Sequence, residues 1–241
     1  NTYKMLKRLS YLKRKYSSNI KQDSKWPVLR RMLKICDTPS LCDADKTMVP
    51  IIALTARHSP LRDIKLIGRA RTVQTVKEEG IENMIDFRNI VEALMNSCPG
   101  EVLVADSHQS SYSVAGELFS AEARRRHLAG ILINGSCRDS LTISRLDFPF
   151  YTKSVSPMAG RCTQLDTSLL YIPVKIGNVT IHTGDVLFGD KDGILNLGQD
   201  LERIEFLANR AAEIREHERL VYNEVLEHDR CLIEFMNVLD S

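Results

Sequence analysis

The stretch Gly116-Glu117-Leu118-Phe119, running on through Gly130-Ile131-Leu132-Ile133-Asn134 to Gly135-Ser136-Cys137-Arg138-Asp139, decides the fold. Gly116 to Phe119 reads as a helix start and Ala123 to Ala129 as the end of that helix. Gly130 to Asn134 is a short continuous apolar run, the pattern of a strand covered on both faces. Gly135 is expected to break the strand. Arg138 and Asp139 then fall in the loop past its carboxyl end, where ligand sites of α/β sheets collect. The N–H groups of a helix's first turn have no intrahelical acceptor and can hold an anion. A carboxylate can therefore lie between the backbone of Gly116 to Phe119 and the guanidinium of Arg138. Asp139 and Glu117 offer oxygen donors for a divalent metal beside it.

The same alternation of strand and helix patterns extends on both sides. Val28 to Ile35 reads as a short helix, and Asp37-Thr38-Pro39-Ser40 as a cap and first turn with Asp37 or Thr38 as N-cap. Met48 to Ala53 is strand-like, and Leu66 to Val76 is a strand carrying Arg69 and Arg71. Ile81, Met84, Ile85, Ile90, Val91, Leu94 and Met95 recur at helical spacing and predict a helix over residues 80 to 97. Val102 to Ala105 is a buried strand ending at Asp106, a polar cap for the following turn, with His108 in the loop beyond. After Asp139 come a brief helix, Ser140 to Leu146, and a strand, Phe148 to Thr152. Four short strands follow, Val174-Ile176, Val179-His182, Val186-Phe188 and Ile194-Leu197, split by turn pairs such as Gly177-Asn178 and Asp192-Gly193. From Gln199 to about Leu239 the pattern is one long helix or two, with Leu201, Ile204, Leu207, Ala208, Ala211 and Ile214 on one buried face.

A length of 241 residues suits one large domain or two small ones. No run is apolar enough to span a membrane, and neither a G-x-G-x-x-G after a strand nor a P-loop is present. Six cysteines show no zinc spacing and read as free thiols of a reducing compartment. Charge is uneven. Residues 1 to 36 carry eleven Lys or Arg and one acid, Asp23, whereas the remainder holds 22 basic and 30 acidic residues. Lys4 to Tyr16 reads as a basic amphipathic helix. Three roles stay open for it: part of a mitochondrial targeting segment, an RNA contact, or a solvated helix packed on the body or a partner. The division expected is a basic helical arm over 1–36, a main domain over 37–220 and a C-terminal helical extension over 221–241, located in the mitochondrial matrix or the cytoplasm.

The spacing of Glu117, twenty residues, then Arg138-Asp139 resembles the acid–Arg-Asp signature of the 4-hydroxy-4-methyl-2-oxoglutarate aldolases, which share a fold with the RraA family of ribonuclease regulators. Further stretches fit in order: Leu41-Cys42-Asp43-Ala44, Gly68-Arg69-Ala70-Arg71-Thr72, Glu82-Asn83, Pro99 to Asp106, Phe148-Pro149-Phe150, Pro173-Val174, Gly184-Asp185-Val186 and Gly189-Asp190-Lys191-Asp192-Gly193. The resemblance implies an α/β domain of the RraA-like swivelling β/β/α type, with the basic helix and the long C-terminal helix as additions. It implies a ring-shaped homotrimer with the site between subunits, and a retro-aldol cleavage of a 2-oxo acid that releases pyruvate, with oxaloacetate decarboxylation beside it. Asp139 would bind Mg²⁺ or Mn²⁺ directly and Glu117 would hold metal-bound water. Arg138 would contact the keto oxygen, and the N–H groups of Leu118 and Phe119 the pyruvate carboxylate. Glu216 is the best match for the glutamate that reaches a neighbouring subunit's metal shell. Glu117 departs from the aspartate usual in the aldolases, keeping the charge and adding a methylene. The alternative implied is a non-catalytic binding or regulatory subunit whose basic arm contacts RNA or protein.

Overall fold

A computed structural model describes residues 24–59, 63–77 and 80–235. The basic helix expected over Lys4–Tyr16 lies outside them. Two short helices open the described chain, α1 (Trp26–Leu33) and α2 (Thr38–Ala44). Asp37 is the N-cap of α2: its side chain accepts the Ser40 N–H at 2.9 Å while Ser40 Oγ accepts the Asp37 N–H at 3.2 Å, a reciprocal capping box. Then follow β1 (Thr55–Ala56), β2 (Leu66–Gln74), β3 (Val76–Lys77), β4 (Ile85–Asp86), α3 (Arg88–Asn96), β5 (Glu101–Asp106), β6 (Ser113–Ala115), α4 (Glu117–Arg125), β7 (Gly130–Cys137), α5 (Ser140–Ser144) and β8 (Phe150–Val155). The last part comprises β9 (Val174–Ile176), β10 (Val179–Ile181), β11 (Val186–Gly189), β12 (Ile194–Gly198) and α6 (Leu201–Glu227).

One sheet organises the molecule in the order β1-β8-β7-β5-β2-β11-β12, with β6 added beside β7. Its centre, β8, β7, β5 and β2, is parallel, and antiparallel strands close both sides. Parallel neighbours need crossovers, and α3, α4 and α5 supply them. The central strands are buried along almost their whole length, which is why they read as apolar runs. Side chains alternate between two cores. On β8, Phe150 joins the core under α3 and α4, whereas Tyr151 joins the core on the opposite face with Leu54, Val174 and Ile194. A third core seats α6 through Ile204, Leu207, Ala208 and Ala211, against Leu33, Leu41 and Phe188.

Three expectations are corrected. The helix placed over 80–97 begins only at Arg88. Gly80 and Asn83 take left-handed backbone angles, φ 81° and 60°, and Ile85-Asp86 pairs with Val76-Lys77 instead. The strand placed over Met48–Ala53 is absent. Pro50 has no N–H to give, and although Ile51 donates to Ile194 O at 2.8 Å, the sheet edge is formed by Thr55-Ala56. Gly135 does not end β7, which runs on to Cys137. The glycine is needed for close approach, because a Cβ there would overlap Ser107 Oγ.

Candidate active site

The site forms where β7 leaves the sheet and α4 enters. Both events are local consequences of sequence. Gly116 is the N-cap of α4 in extended backbone, φ −157°. Ser120 Oγ donates back to Gly116 O at 3.0 Å and fixes the first turn. β6 carries this turn to the end of β7, where the Arg138 N–H donates to Ala115 O at 3.0 Å. Asp139 follows in the left-handed region, φ 57° and ψ 33°, a conformation that Asp and Asn adopt more readily than other side chains. The chain therefore turns sharply and sends the Asp139 carboxylate back toward α4.

There Asp139 Oδ2 accepts the Glu117 N–H at 3.1 Å and lies 3.6 Å from Arg138 Nε. A Cβ on Gly116 would overlap Asp139 Oδ2, so the glycine makes the cradle that this carboxylate fills. Arg138 is 48% and Asp139 34% exposed at the side chain, open enough to meet a ligand. They line a cavity of about 230 Å³ with Phe87, Ser113, Val114, Leu118, Phe119 and others. The N–H groups of Leu118 and Phe119 belong to the first turn of α4 and lack intrahelical acceptors. Glu117 is exposed at the same helix start.

The expected residues thus separate into two groups. Gly116, Glu117, Leu118, Phe119, Arg138 and Asp139 meet at one end of α4. Glu216 lies on the exposed side of α6, paired with Arg219 at 2.7 Å, and that pairing holds its carboxyl below the usual carboxylate range. Helix α6 packs on α1 and α2, whereas α4 packs on α5 and β7. Among the described residues no three His, Cys, Asp or Glu side chains are grouped to hold a metal. The carboxylate oxygens of Asp139 and Glu117 still suit a hard divalent ion of the Mg²⁺ kind, which keeps several waters and takes only one or two protein carboxylates.

The remaining thiols, carboxylates and imidazoles nearby have structural roles or stand apart from the cavity. Cys137 is fully buried, and burial raises its thiol pKa, so it is not a reactive nucleophile. All six cysteines are free. Asp106 accepts the His108 N–H at 2.9 Å, the turn cap expected of it. His108 itself is half-buried, with Nε2 3.1 Å from Thr75 O. His182 is exposed beside Asp185. Phe87 and Ala159 are site residues that sequence reasoning passed over. Phe87 falls inside the span 80–97 whose spacing predicts a helix, and Ala159 sits in a loop with no motif.

A family model described as Aldolase/RraA matches residues 38–195. A Halalkalibacterium halodurans protein provisionally named as a 4-hydroxy-4-methyl-2-oxoglutarate aldolase is 25% identical over 192 residues, covering 78% of this chain and 87% of that one. An uncharacterised Pseudomonas syringae protein superposes with a TM-score of 0.70 at 21% identity, over 86% of this chain and 96% of that one. Streptomyces coelicolor RraAS2, an unusual member of the RNase ES inhibitor RraA protein family, gives a TM-score of 0.66 at 21% identity, over 82% and 96%. At such identities these structural likenesses speak for the fold alone.

Proposed function

The chain belongs to the Aldolase/RraA family, and from that premise we propose that it is a divalent-metal-dependent lyase, releasing pyruvate from a 4-hydroxy-2-oxo acid or from oxaloacetate. The observation that carries this reading is the pairing of Asp139 with the start of α4 beside Arg138, at the edge of a small cavity. Asp139 and Glu117 would hold Mg²⁺ or Mn²⁺, and the ion would act as a Lewis acid toward the keto oxygen.

The chain's own groups divide the remaining work. The substrate carboxylate takes the first-turn N–H groups of Leu118 and Phe119, where the helix dipole favours an anion. Arg138 donates to the keto oxygen, so its positive charge stands where negative charge develops as the carbon–carbon bond breaks. Gly116 keeps the carboxylate of Asp139 against the helix start and so fixes the spacing between these donors. We further propose a homotrimer in which Glu216 of a neighbouring copy completes the metal's surroundings.

The test is pyruvate release from 4-hydroxy-2-oxo acids and from oxaloacetate, with Mg²⁺ or Mn²⁺ and then with EDTA. A second reading, a binding subunit that contacts RNA or protein, is favoured by the eleven basic residues of 1–36. Under that reading, removing residues 1–24 abolishes partner binding while Arg138→Ala leaves it intact.

A further inference from the structure

Helix α6 outruns the body that holds it. Its buried stripe, Ile204, Ala208 and Ala211, packs with Leu33, Cys36 and Leu41, from α1, α2 and the turn between them. Arg215 closes this contact: its Nε lies 2.9 Å from Asp37 Oδ2, and its guanidinium also donates to Ile35 O. Tyr222 and Leu226 continue the same stripe at helical spacing beyond Arg215. They are 64% and 65% exposed, and Ile35, beside Arg215, is 60% exposed. An apolar strip therefore stands open along the distal half of α6.

This half-helix is acidic. Residues 213–229 hold six Asp or Glu and two Arg, and Arg215 and Arg219 are already paired, with Asp37 and Glu216. A second copy of the same surface would bring like charges together. Residues 236–241 carry one acid and no base. Charge favours the other end of the chain, because residues 1–23 hold seven Lys or Arg and one acid. Met5, Leu9, Leu12 and Tyr16 recur there at helical spacing and match the strip in kind and period. Arg8 and Lys13 flank them on either side, where acids of α6 can meet them.

The reach is sufficient. Lys25 pairs with Glu202 and, at 3.8 Å, with Glu205, so the described chain starts beside the first turns of α6. From the level of Glu205 to that of Tyr222 is about 26 Å at helical rise. The stretch from Tyr16 to Lys25 covers about 30 Å when extended.

We propose that residues 4–16 form an amphipathic helix that packs antiparallel on the distal half of α6, with Leu12 near Tyr222 and Leu9 near Leu226. Both pieces lie outside the span 38–195 shared with the family, so their pairing is an addition to the common core. A helix this short is marginal alone in water, and the strip on α6 supplies the apolar surface that holds it. Lys4, Lys7, Arg14 and Lys15 fall on the opposite side of the arm. Docking makes them a fixed cationic ridge on the body in place of a free basic tail.

The test is hydrogen exchange of the full 241-residue chain at low salt, read on peptides covering 4–16, for wild type and for Tyr222→Glu with Leu226→Glu. Both substitutions fall on exposed residues, so exchange of the central strands is the control and should not change. Wild-type amides over 4–16 should exchange roughly tenfold or more slowly than an unstructured chain, and the double variant should lose that protection. A second measurement pairs Leu12→Cys with Tyr222→Cys after replacing the exposed Cys162 and Cys231 by Ser, and expects a disulfide within one chain on oxidation. Unstructured-chain rates in the wild type, protection unchanged by the double variant, or a disulfide formed only between chains would each overturn the proposal; the last would give the strip to the arm of a second copy.

Discussion

Asp139 caps helix α4 from outside it: its Oδ2 accepts the Glu117 N–H at 3.1 Å, across 22 positions of sequence. A single carboxylate thereby ties the carboxyl end of β7 to the helix start. The residue is placed to serve both as a structural cap and as a ligand, and substitution can separate the two roles.

Asp139→Asn keeps an oxygen for the Glu117 N–H and tolerates the left-handed backbone at φ 57°. It should match the parent in thermal unfolding. Asp139→Ala removes the cap and should lose about 1 kcal/mol, within the range measured for helix caps. If both variants unfold alike, the Asp139 hydrogen bond has no capping value.

Gly116→Ala tests the cradle. The added methyl overlaps Asp139 Oδ2 and crowds Arg138 Cγ, so the Asp139 carboxylate must move. Displacements of this size typically cost about a hundredfold in rate. Pyruvate release should fall by that order while circular dichroism stays unchanged, and wild-type rates would contradict the geometry.

Arg71 and Glu101 form a buried pair on β2 and β5, with Nε–Oε2 at 2.9 Å and Nη2–Oε1 at 2.5 Å. Arg71 also lies over the Tyr171 ring at 4.9 Å. Glu101→Ala leaves an uncompensated buried charge and should cost about 3–5 kcal/mol in urea unfolding. Replacing both residues, Arg71→Met with Glu101→Leu, should cost clearly less. An equal loss in the double variant would mean that packing, not charge, dominates.

His58 sets a pH dependence of stability. It is 4% exposed, Nδ1 accepts the Phe150 N–H at 3.2 Å, and Nε2 has no partner. Burial depresses its pKa and Lys191 adds to the effect, against the opposing Phe150 hydrogen bond. The unfolded chain therefore takes up a proton below the ordinary histidine value of about 6.5 while the folded chain does not. The contribution of His58 is present above pH ~6.5 and is lost as pH falls toward the depressed folded value, at up to about 1.4 kcal/mol per unit. His58→Gln should flatten this slope in pH-dependent denaturation, and an unchanged slope would show that other groups set it.

The central strands were legible because β5 and β7 are covered on both faces and so are written as unbroken apolar runs. The site core was legible for a similar reason: Gly116, Glu117, Arg138 and Asp139 lie at the ends of elements whose patterns are strong. Errors arose where tertiary contacts override local pattern. Ile81, Met84 and Ile85 kept helical spacing with Ile90 and Leu94, yet Gly80 and Asn83 turn the backbone left-handed, and Asp86 is held by Arg88 N and Thr163. Those two turn-forming residues were the available signal for splitting the helix, and with it for finding Phe87 at the cavity wall. Gly135 has the local signature of a breaker, but its role is room for Ser107, a contact across strands that no local pattern encodes.

The most direct test of the account is the rate of pyruvate release by wild-type protein and Asp139→Asn across monoacid and diacid 4-hydroxy-2-oxo substrates and oxaloacetate, with Mg²⁺ or Mn²⁺ and after EDTA. Release should need the metal, stop with EDTA and be lost in Asp139→Asn while the fold persists. Release that survives EDTA or Asp139→Asn, or no release from any substrate, would contradict it.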